Sequence, residues 1–98
     1  MDMDIKIESS DGKFYAKTEH GQAELLYSIE GGVIRAYHTF TPKEDRGKGI
    51  AERLAMKVIE LAKERNLKIR PECSYMKAFL RTHSRREDVY GNGSSRQT

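Results

Sequence analysis

The sequence predicts one α/β domain of the α+β kind, in which a four-stranded antiparallel meander is followed by a helix and a parallel fifth strand. Three observations predict it. Apolar and polar residues alternate through the first forty positions, the apolar spacing becomes helical from Ile50, and a short apolar stretch follows that helix. A chain of 98 residues has room for one domain. We place it at residues 1–90 and expect a disordered polar tail at 91–98.

The first two strands form a predicted hairpin. Ile5 and Ile7 alternate with charged residues, and Phe14 and Ala16 do the same further along. Asp11-Gly12 lies between the two runs and is typical of a turn. These positions therefore predict two antiparallel strands with a short connection.

The third and fourth strands continue the meander. Turns are predicted at His20-Gly21 and at Gly31-Gly32, because a glycine pair suits the positive φ angles of a two-residue hairpin loop. The fourth strand is predicted over Val33–Phe40 and ends at Thr41-Pro42, since proline has no N–H to donate to a ladder. The third strand places three apolar residues on one face: Leu25, Tyr27 and Ile29.

Two helices are predicted in the second half. The longer one covers residues 50 to about 66, and a shorter one covers residues 76 to about 83 with Phe79 and Leu80 facing inward. The apolar face of the longer helix follows helical spacing along its whole length: Ile50, Leu54, Val58, Leu61 and Ala62.

The fifth strand is predicted over residues 67–75, between the two helices. Leu67 and Ile69 begin its inward-facing row. Cys73 and Tyr75 continue that row beyond a bend at Pro71. Because a strand, a helix and a second strand form a right-handed crossover, this strand is expected to lie parallel to the fourth.

Composition excludes several classes of protein. The single cysteine cannot form an intramolecular disulfide, and without other ligands at suitable spacing it predicts no metal site. The acidic N-terminus lacks an apolar signal-peptide core, and no run reaches the about 18 apolar residues of a membrane span. We therefore expect a cytoplasmic protein. The net charge of +3 is a mild excess that permits an anionic ligand without identifying one.

The stretch RGKGIA at residues 46–51 predicts an anion site at the start of the long helix. The first N–H groups of a helix have no internal partner, and the helix dipole attracts negative charge there. Gly47 and Gly49 allow the backbone to approach a phosphate, and Arg46 and Lys48 add positive charge. Glycines that merely interrupt a loop are the alternative interpretation.

Two familiar phosphate loops fit this stretch poorly. A Walker loop needs Ser or Thr after the lysine, whereas Gly49 follows Lys48 here. A dinucleotide fingerprint needs a third small residue where Glu52 stands, and it belongs to a parallel sheet. Nucleotide triphosphatases and dinucleotide-binding proteins are therefore disfavoured.

What remains is an Arg-x-x-Gly-x-Ala pattern from Arg46 to Ala51, which resembles the signature of the GNAT superfamily of acetyl-coenzyme-A-dependent N-acetyltransferases. In that family the signature lies between the fourth strand of a meander and a long helix. The stretches HTFTPKEDRGKGIAERL and PECSYMKAFL are similar to the two motif blocks of a minimal single-domain branch. The resemblance covers about half the chain and implies acetyl-coenzyme A (acetyl-CoA) as co-substrate.

The resemblance also implies positions for the ligand. Thr39 and Phe40 would pair with the pantetheine arm. Tyr75 and Phe79 would flank the pantetheine or the adenine end of the coenzyme, with ordinary core packing as the alternative for both aromatic residues. The coenzyme A pyrophosphate would bind the backbone amides of six consecutive residues: Arg46, Gly47, Lys48, Gly49, Ile50 and Ala51.

Catalytic candidates are fewer. By the same resemblance Cys73 stands at the reacting position of the fifth strand, where it would act as a nucleophile or help to deprotonate the amine; a lone cytosolic cysteine is more often a small buried hydrophobe. His38 is the candidate base because imidazole titrates near physiological pH. Strand alternation places it on the face opposite Thr39, and Glu72 is a third candidate.

The function predicted is transfer of an acetyl group to a primary amine of a protein, a peptide or a small molecule, by a monomer or a dimer. A coenzyme-binding module without turnover and a small basic nucleic-acid-binding domain are the alternatives. Arg81, Arg85 and Arg86 either reach the 3′-phosphate of coenzyme A or are solvated surface charges.

Overall fold

Five strands and two helices make up the computed structural model, which describes residues 5–82. The predicted tail, His83, Arg85 and Arg86 lie outside that range. The strands follow one another across a single sheet in the order β1-β2-β3-β4-β5, antiparallel except for the parallel pair β4 and β5, so the predicted fold class is confirmed. The elements are β1 Glu8–Ser10, β2 Lys13–Thr18, β3 Gly21–Glu30, β4 Val33–Phe40, a 3-10 turn Lys43–Asp45, α1 Ile50–Arg65, β5 Lys68–Pro71 and α2 Ser74–Thr82.

One hydrophobic core lies between the sheet and the two helices. Leu25, Ile34 and Ile69 come from three neighbouring strands and are fully buried. Leu54 and Val58 of α1 pack in the same cluster. Since each strand alternates apolar and polar residues, the helices cover one face of the sheet and charged residues occupy the other. Neither helix in the described range has the length and hydropathy that crossing a membrane requires.

The first strand differs from the prediction. Ile5 and Ile7 lie in an irregular segment before β1, and the paired residues are Glu8–Ser10. Both isoleucines still pack against the core, partly buried. The alternation of Ile5 and Ile7 therefore reflects their burial, whereas the hydrogen-bonded pairing of β1 begins at Glu8.

A bulge at Tyr37 interrupts the pairing of β4 with β3. Leu26 pairs with His38 and Tyr27 with Ala36, which leaves Tyr37 as one extra residue on β4. A bulge bends the strand that carries it and advances the alternation of side chains by one position. Without it, His38 would share the core face with Ala36; with it, that place goes to Thr39.

The fifth strand is shorter than predicted. It ends at Pro71, and α2 already begins at Ser74, two residues before the predicted start. The predicted placement of Cys73 and Tyr75 on β5 is therefore wrong: Cys73 lies in the connection and Tyr75 in the first turn of α2. The Glu72 amide donates to the Ala36 carbonyl at 2.8 Å as the last bond of the β4–β5 ladder.

Candidate active site

The loop before α1 has the backbone form expected of an anion site. Gly47 and Gly49 adopt φ angles of +83° and +82°, a region that other L-residues rarely occupy. Gly49 is the N-cap of α1, and no side chain caps the helix there. A Cβ added at either glycine would meet no protein atom within 4 Å, so both positions face open space. The first amides of α1 are thus turned toward a surface that a ligand can reach.

A cavity of about 590 Å³ extends from this loop to the place where β4 and β5 separate. The β4–β5 pairs end at Ala36↔Pro71, while β4 continues to Phe40, so its last residues have no β5 strand beside them. The bulge at Tyr37 comes directly after the last pair and bends β4 away. Eight of the ten predicted coenzyme residues line the cavity: Thr39, Phe40, Arg46, Gly47, Gly49, Ile50, Ala51 and Tyr75.

The two predicted coenzyme residues outside the cavity lining are Lys48 and Phe79. The ammonium of Lys48 lies 3.0 Å from a carboxylate oxygen of Asp45 and 3.8 Å from one of Glu19. Phe79 is buried in the core, where its ring stacks on Tyr75 at a centroid distance of 6.1 Å. Lys48 is therefore engaged with acidic side chains, and Phe79 supports an aromatic residue that does line the cavity.

The side chains of Thr39 and Cys73 meet at the point where the strands separate. Thr39 Oγ1 lies 3.2 Å from Cys73 Sγ, and either atom can donate the hydrogen bond. Cys73 is half-buried and carries a free thiol. This contact depends on the bulge at Tyr37, because the bulge turns Thr39 to the core face of β4. Burial raises the pKa of the nearby Tyr75 hydroxyl, which stays protonated at neutral pH.

His38 lies on the opposite face of the sheet from Cys73. It pairs with Leu26, and its Nε2 lies 3.6 Å from a carboxylate oxygen of Glu24. The imidazole is exposed to solvent. The expected alternation between His38 and Thr39 is thus present, and the structure does not bring the two candidate catalytic side chains, His38 and Cys73, together on one face.

Glu72 is engaged in a bidentate ion pair. Arg35 donates from Nε and Nη2 to its two carboxylate oxygens at 3.0 and 2.9 Å. The Arg35 guanidinium holds the pKa of the Glu72 carboxyl below its usual value. A carboxylate whose pKa is lowered in this way is a poor general base. The ion pair instead links β4 to the end of β5.

Sequence reasoning missed a charged cluster beneath the glycine loop. Asp45 is only 1% exposed, and it accepts hydrogen bonds from the His20 amide at 3.1 Å and from the Lys48 ammonium at 3.0 Å. His20 Nδ1 lies 2.9 Å from the same carboxylate. These contacts, first that with His20, hold the pKa of Asp45 far below its ordinary range. Glu19, His20 and Asp45 lie close enough to ligate a cation, and the Lys48 ammonium already lies among them.

Comparisons with known proteins agree with this fold. A family model for GCN5-related N-acetyl-transferases matches residues 13–89. Protein NATD1 of Homo sapiens and of Bos taurus is 33% identical over 63 residues, which are 63% of this chain. The match spans 56% of the length of each of these relatives. The NMR structure of a GCN5-like protein from Staphylococcus aureus superposes with a TM-score of 0.70 at 30% identity, covering 91% of this chain and 90% of that one.

Proposed function

This chain belongs to the GCN5-related N-acetyltransferase family, and from that premise we propose that it binds acetyl-CoA and transfers the acetyl group to a primary amine. The observation that carries the proposal is the continuity of one cavity, which runs from the helix N-terminus at Gly49 to the gap between β4 and β5. We also propose that it acts in the cytoplasm, where a single free thiol stays reduced.

The proposed coenzyme position follows from the chain's own groups. Backbone amides of residues 47–51 would donate to the pyrophosphate, since the space at Gly47 and Gly49 is open. The Arg46 amide, also predicted to bind there, already donates to the Lys43 carbonyl at 3.3 Å. The backbone of Thr39 and Phe40, beyond the last β4–β5 pair, would bond to the amides of the pantetheine arm in the manner of an added strand. Tyr75 would cover the arm from α2. The thioester at the end of the arm supplies the activated acetyl group.

Cys73 is the proposed reacting side chain, because its thiol lies where the strands separate. In a relay, the sulfur would attack the thioester carbonyl, the acetyl group would move to Sγ, and the thiol proton would leave with coenzyme A. The amine would then take the acetyl group and restore the thiol. In direct transfer, Cys73 would only assist removal of a proton from the amine.

The test combines binding with mass spectrometry. Acetyl-CoA is titrated by calorimetry into the wild type, Cys73→Ser and Cys73→Ala, and the intact mass of each protein is measured after incubation. Binding by all three, with a gain of one acetyl group in the wild type alone, supports the relay. Binding with no acetylated protein, but with acetylation of an added primary amine, supports direct transfer. Absence of binding overturns the proposal.

A coenzyme-binding module without turnover is the second candidate function. The observation that favours it is the environment of Cys73: its hydrogen-bond partner is the hydroxyl of Thr39, while His38 and Glu72 are engaged elsewhere. Such a module would bind acetyl-CoA with the thioester intact and would acetylate no amine. Release of free coenzyme A in the presence of a panel of amines and peptides separates the two candidates.

A further inference from the structure

Asp45 is a buried carboxylate for which the proposed chemistry has no use. It lies in the 3-10 turn just before the glycine loop and is 1% exposed, although its neighbours in sequence are on the surface. Isolated buried charges are strongly unfavourable, so a buried carboxylate needs partners that satisfy it. Here the partners come from two separate parts of the chain.

The first partner is the turn between β2 and β3. His20 gives Asp45 both its backbone amide, at 3.1 Å, and its ring Nδ1, at 2.9 Å. The same turn is close to the start of the loop, because a Cβ built on Gly21 would lie 3.3 Å from the ring of Pro42. Asp45 therefore joins a hairpin turn to a loop 25 residues further along.

The second partner is within the glycine loop itself. Lys48 lies between Gly47 and Gly49 and places its ammonium 3.0 Å from Asp45 Oδ1. This bond spans three residues and restrains the loop from its middle, where both flanking glycines have left-handed backbones. Lys48, with one flexible glycine on each side, is thus held to the buried carboxylate of Asp45.

We propose that Asp45 is a positioning residue that fixes the glycine loop against the β2–β3 turn, and that the protonation state of His20 thereby sets the affinity of this loop for a pyrophosphate. This proposal rests on the coenzyme binding proposed above. The charges facing His20 are the carboxylates of Asp45, Glu19 and Glu44, with the Lys48 ammonium beside Asp45 and Glu19. A protonated His20 leaves this group with three negative and two positive charges. A neutral His20 leaves it with three against one.

The direction of the pH dependence follows from that difference. The Asp45 carboxylate raises the pKa of His20 above its ordinary value of 6.5, so the ring is protonated in mildly acidic solution and neutral in alkaline solution. When the proton leaves His20, the bond between its ring and Asp45 loses its charge assistance, and the net negative charge beside the glycine loop grows. Affinity for a pyrophosphate should therefore fall as the pH rises through the pKa of His20.

The probe is 3′-dephospho-coenzyme A, because its pyrophosphate diester keeps the same charge where the 3′-phosphate of coenzyme A would itself titrate. Its dissociation constant is measured by calorimetry between about pH 5.5 and 8.5. We expect the wild type to weaken by about three- to tenfold over this range, as removal of one nearby charge predicts. His20→Gln should bind with no pH slope. Asp45→Asn should bind more weakly at every pH.

The matched control is His38→Gln, which removes the other described imidazole from the opposite face of the sheet. Its binding should keep the wild-type pH slope. A His20→Gln protein that keeps this slope, or an Asp45→Asn protein that binds as the wild type does, overturns the proposal.

A measurement that needs no ligand separates failure of the positioning role from failure of coenzyme binding. Amide hydrogen exchange of Gly47 and Gly49 is compared between the wild type and His20→Gln. If no coenzyme binds at any pH, the proposed function fails; faster exchange at these glycines in His20→Gln still supports the positioning role, and unchanged exchange overturns it. If Asp45→Asn does not fold, the exchange and the pH slope of His20→Gln still test the proposal.

Discussion

The glycine loop and the gap between β4 and β5 adjoin in one cavity, yet different forces fix their positions. The loop is restrained by ion pairs and hydrogen bonds that converge on Asp45. The gap is set by a bulge in β4, and it begins beyond the paired part of β4 and β5, where Ile34 and Ile69 are buried opposite each other. If the coenzyme binds as proposed, one end of its site would respond to pH and the other to packing, and each end could be disturbed without the other.

The largest effect on binding is expected from Gly49→Val. A β-branched residue is strained at φ +82°, and its side chain would occupy the open space in front of the helix amides. Losing two charge-assisted hydrogen bonds of about 1.5 kcal/mol each would weaken acetyl-CoA binding about 100-fold. Calorimetric titration measures this loss.

Gly32→Val is the matched control for that change. Gly32 has φ +81° and equally open surroundings, but it lies in the β3–β4 turn. It should lower stability by a similar amount, about 1–2 kcal/mol for a left-handed L-residue, and leave binding intact. Equal loss of binding in both variants would mean that backbone strain, and not occupation of the site, explains the effect.

Deleting Tyr37 should disturb the gap while sparing the loop. The deletion removes the bulge but keeps each neighbouring side chain on its present face, so β4 can continue to pair with the chain after Pro71. We expect at least about tenfold weaker acetyl-CoA binding, since the arm would lose the backbone groups of Thr39 and Phe40. Calorimetry and urea unfolding measure affinity and folding together.

Tyr37→Ala retains the extra residue and is the control for the deletion. Tyr37 is 45% exposed, so the truncation removes little packing and should keep the affinity of the wild type. A deletion variant that binds acetyl-CoA normally would show that the gap has another cause.

A purely structural effect, on folding and not on binding, is expected at Ile69. This is the fully buried residue of β5, opposite Ile34 on β4. Ile69→Ala should lower the free energy of unfolding by about 2–5 kcal/mol and Ile69→Val by about 0.5–1.5 kcal/mol. Urea unfolding measures both, with the exposed neighbour Arg70→Ala expected within about 0.5 kcal/mol of the wild type. A loss below 1 kcal/mol in Ile69→Ala would contradict tight packing of β5, using the same scale.

The smallest effect concerns stability and pH at the loop. The pKa of Asp45 is lowered, so its contribution is complete above the ordinary value of 3.8 and is lost as the pH falls below it. The pKa of His20 is raised, so its contribution is complete below 6.5 and is lost as the pH rises through the higher folded value. The thermal unfolding midpoint should be highest between these limits. His20→Gln should remove the alkaline decline; an unchanged decline would assign it to another group.

The meander, the long helix and the glycine loop could be predicted because their signals are local. Strand alternation, helical spacing and a glycine pair each depend on a few neighbouring residues. Pro71 also indicated a bend in β5, but the apolar pattern of Cys73 and Tyr75 led the prediction to extend the strand beyond it. Both residues are partly buried as a strand row would require, but they achieve this from a connection and a helix turn.

The rest of the site depends on contacts between distant residues. Nothing in the spacing around Tyr37 distinguishes a bulge from a regular strand, although the bulge decides that Thr39 and not His38 shares a face with Ala36. The bond between His20 and Asp45 joins residues 25 positions apart. Such pairings become visible only when the turn and the loop are placed side by side.

The bulge in β4 also bears on how a gap between two strands can be gained or lost in evolution. It consists of one additional residue in a strand that otherwise pairs regularly. A single codon inserted into or removed from the gene at this position would therefore open or close the sheet without altering any residue that performs chemistry. When relatives with this fold are compared, the number of residues in β4 is therefore as informative as the side chain found at the position of Cys73.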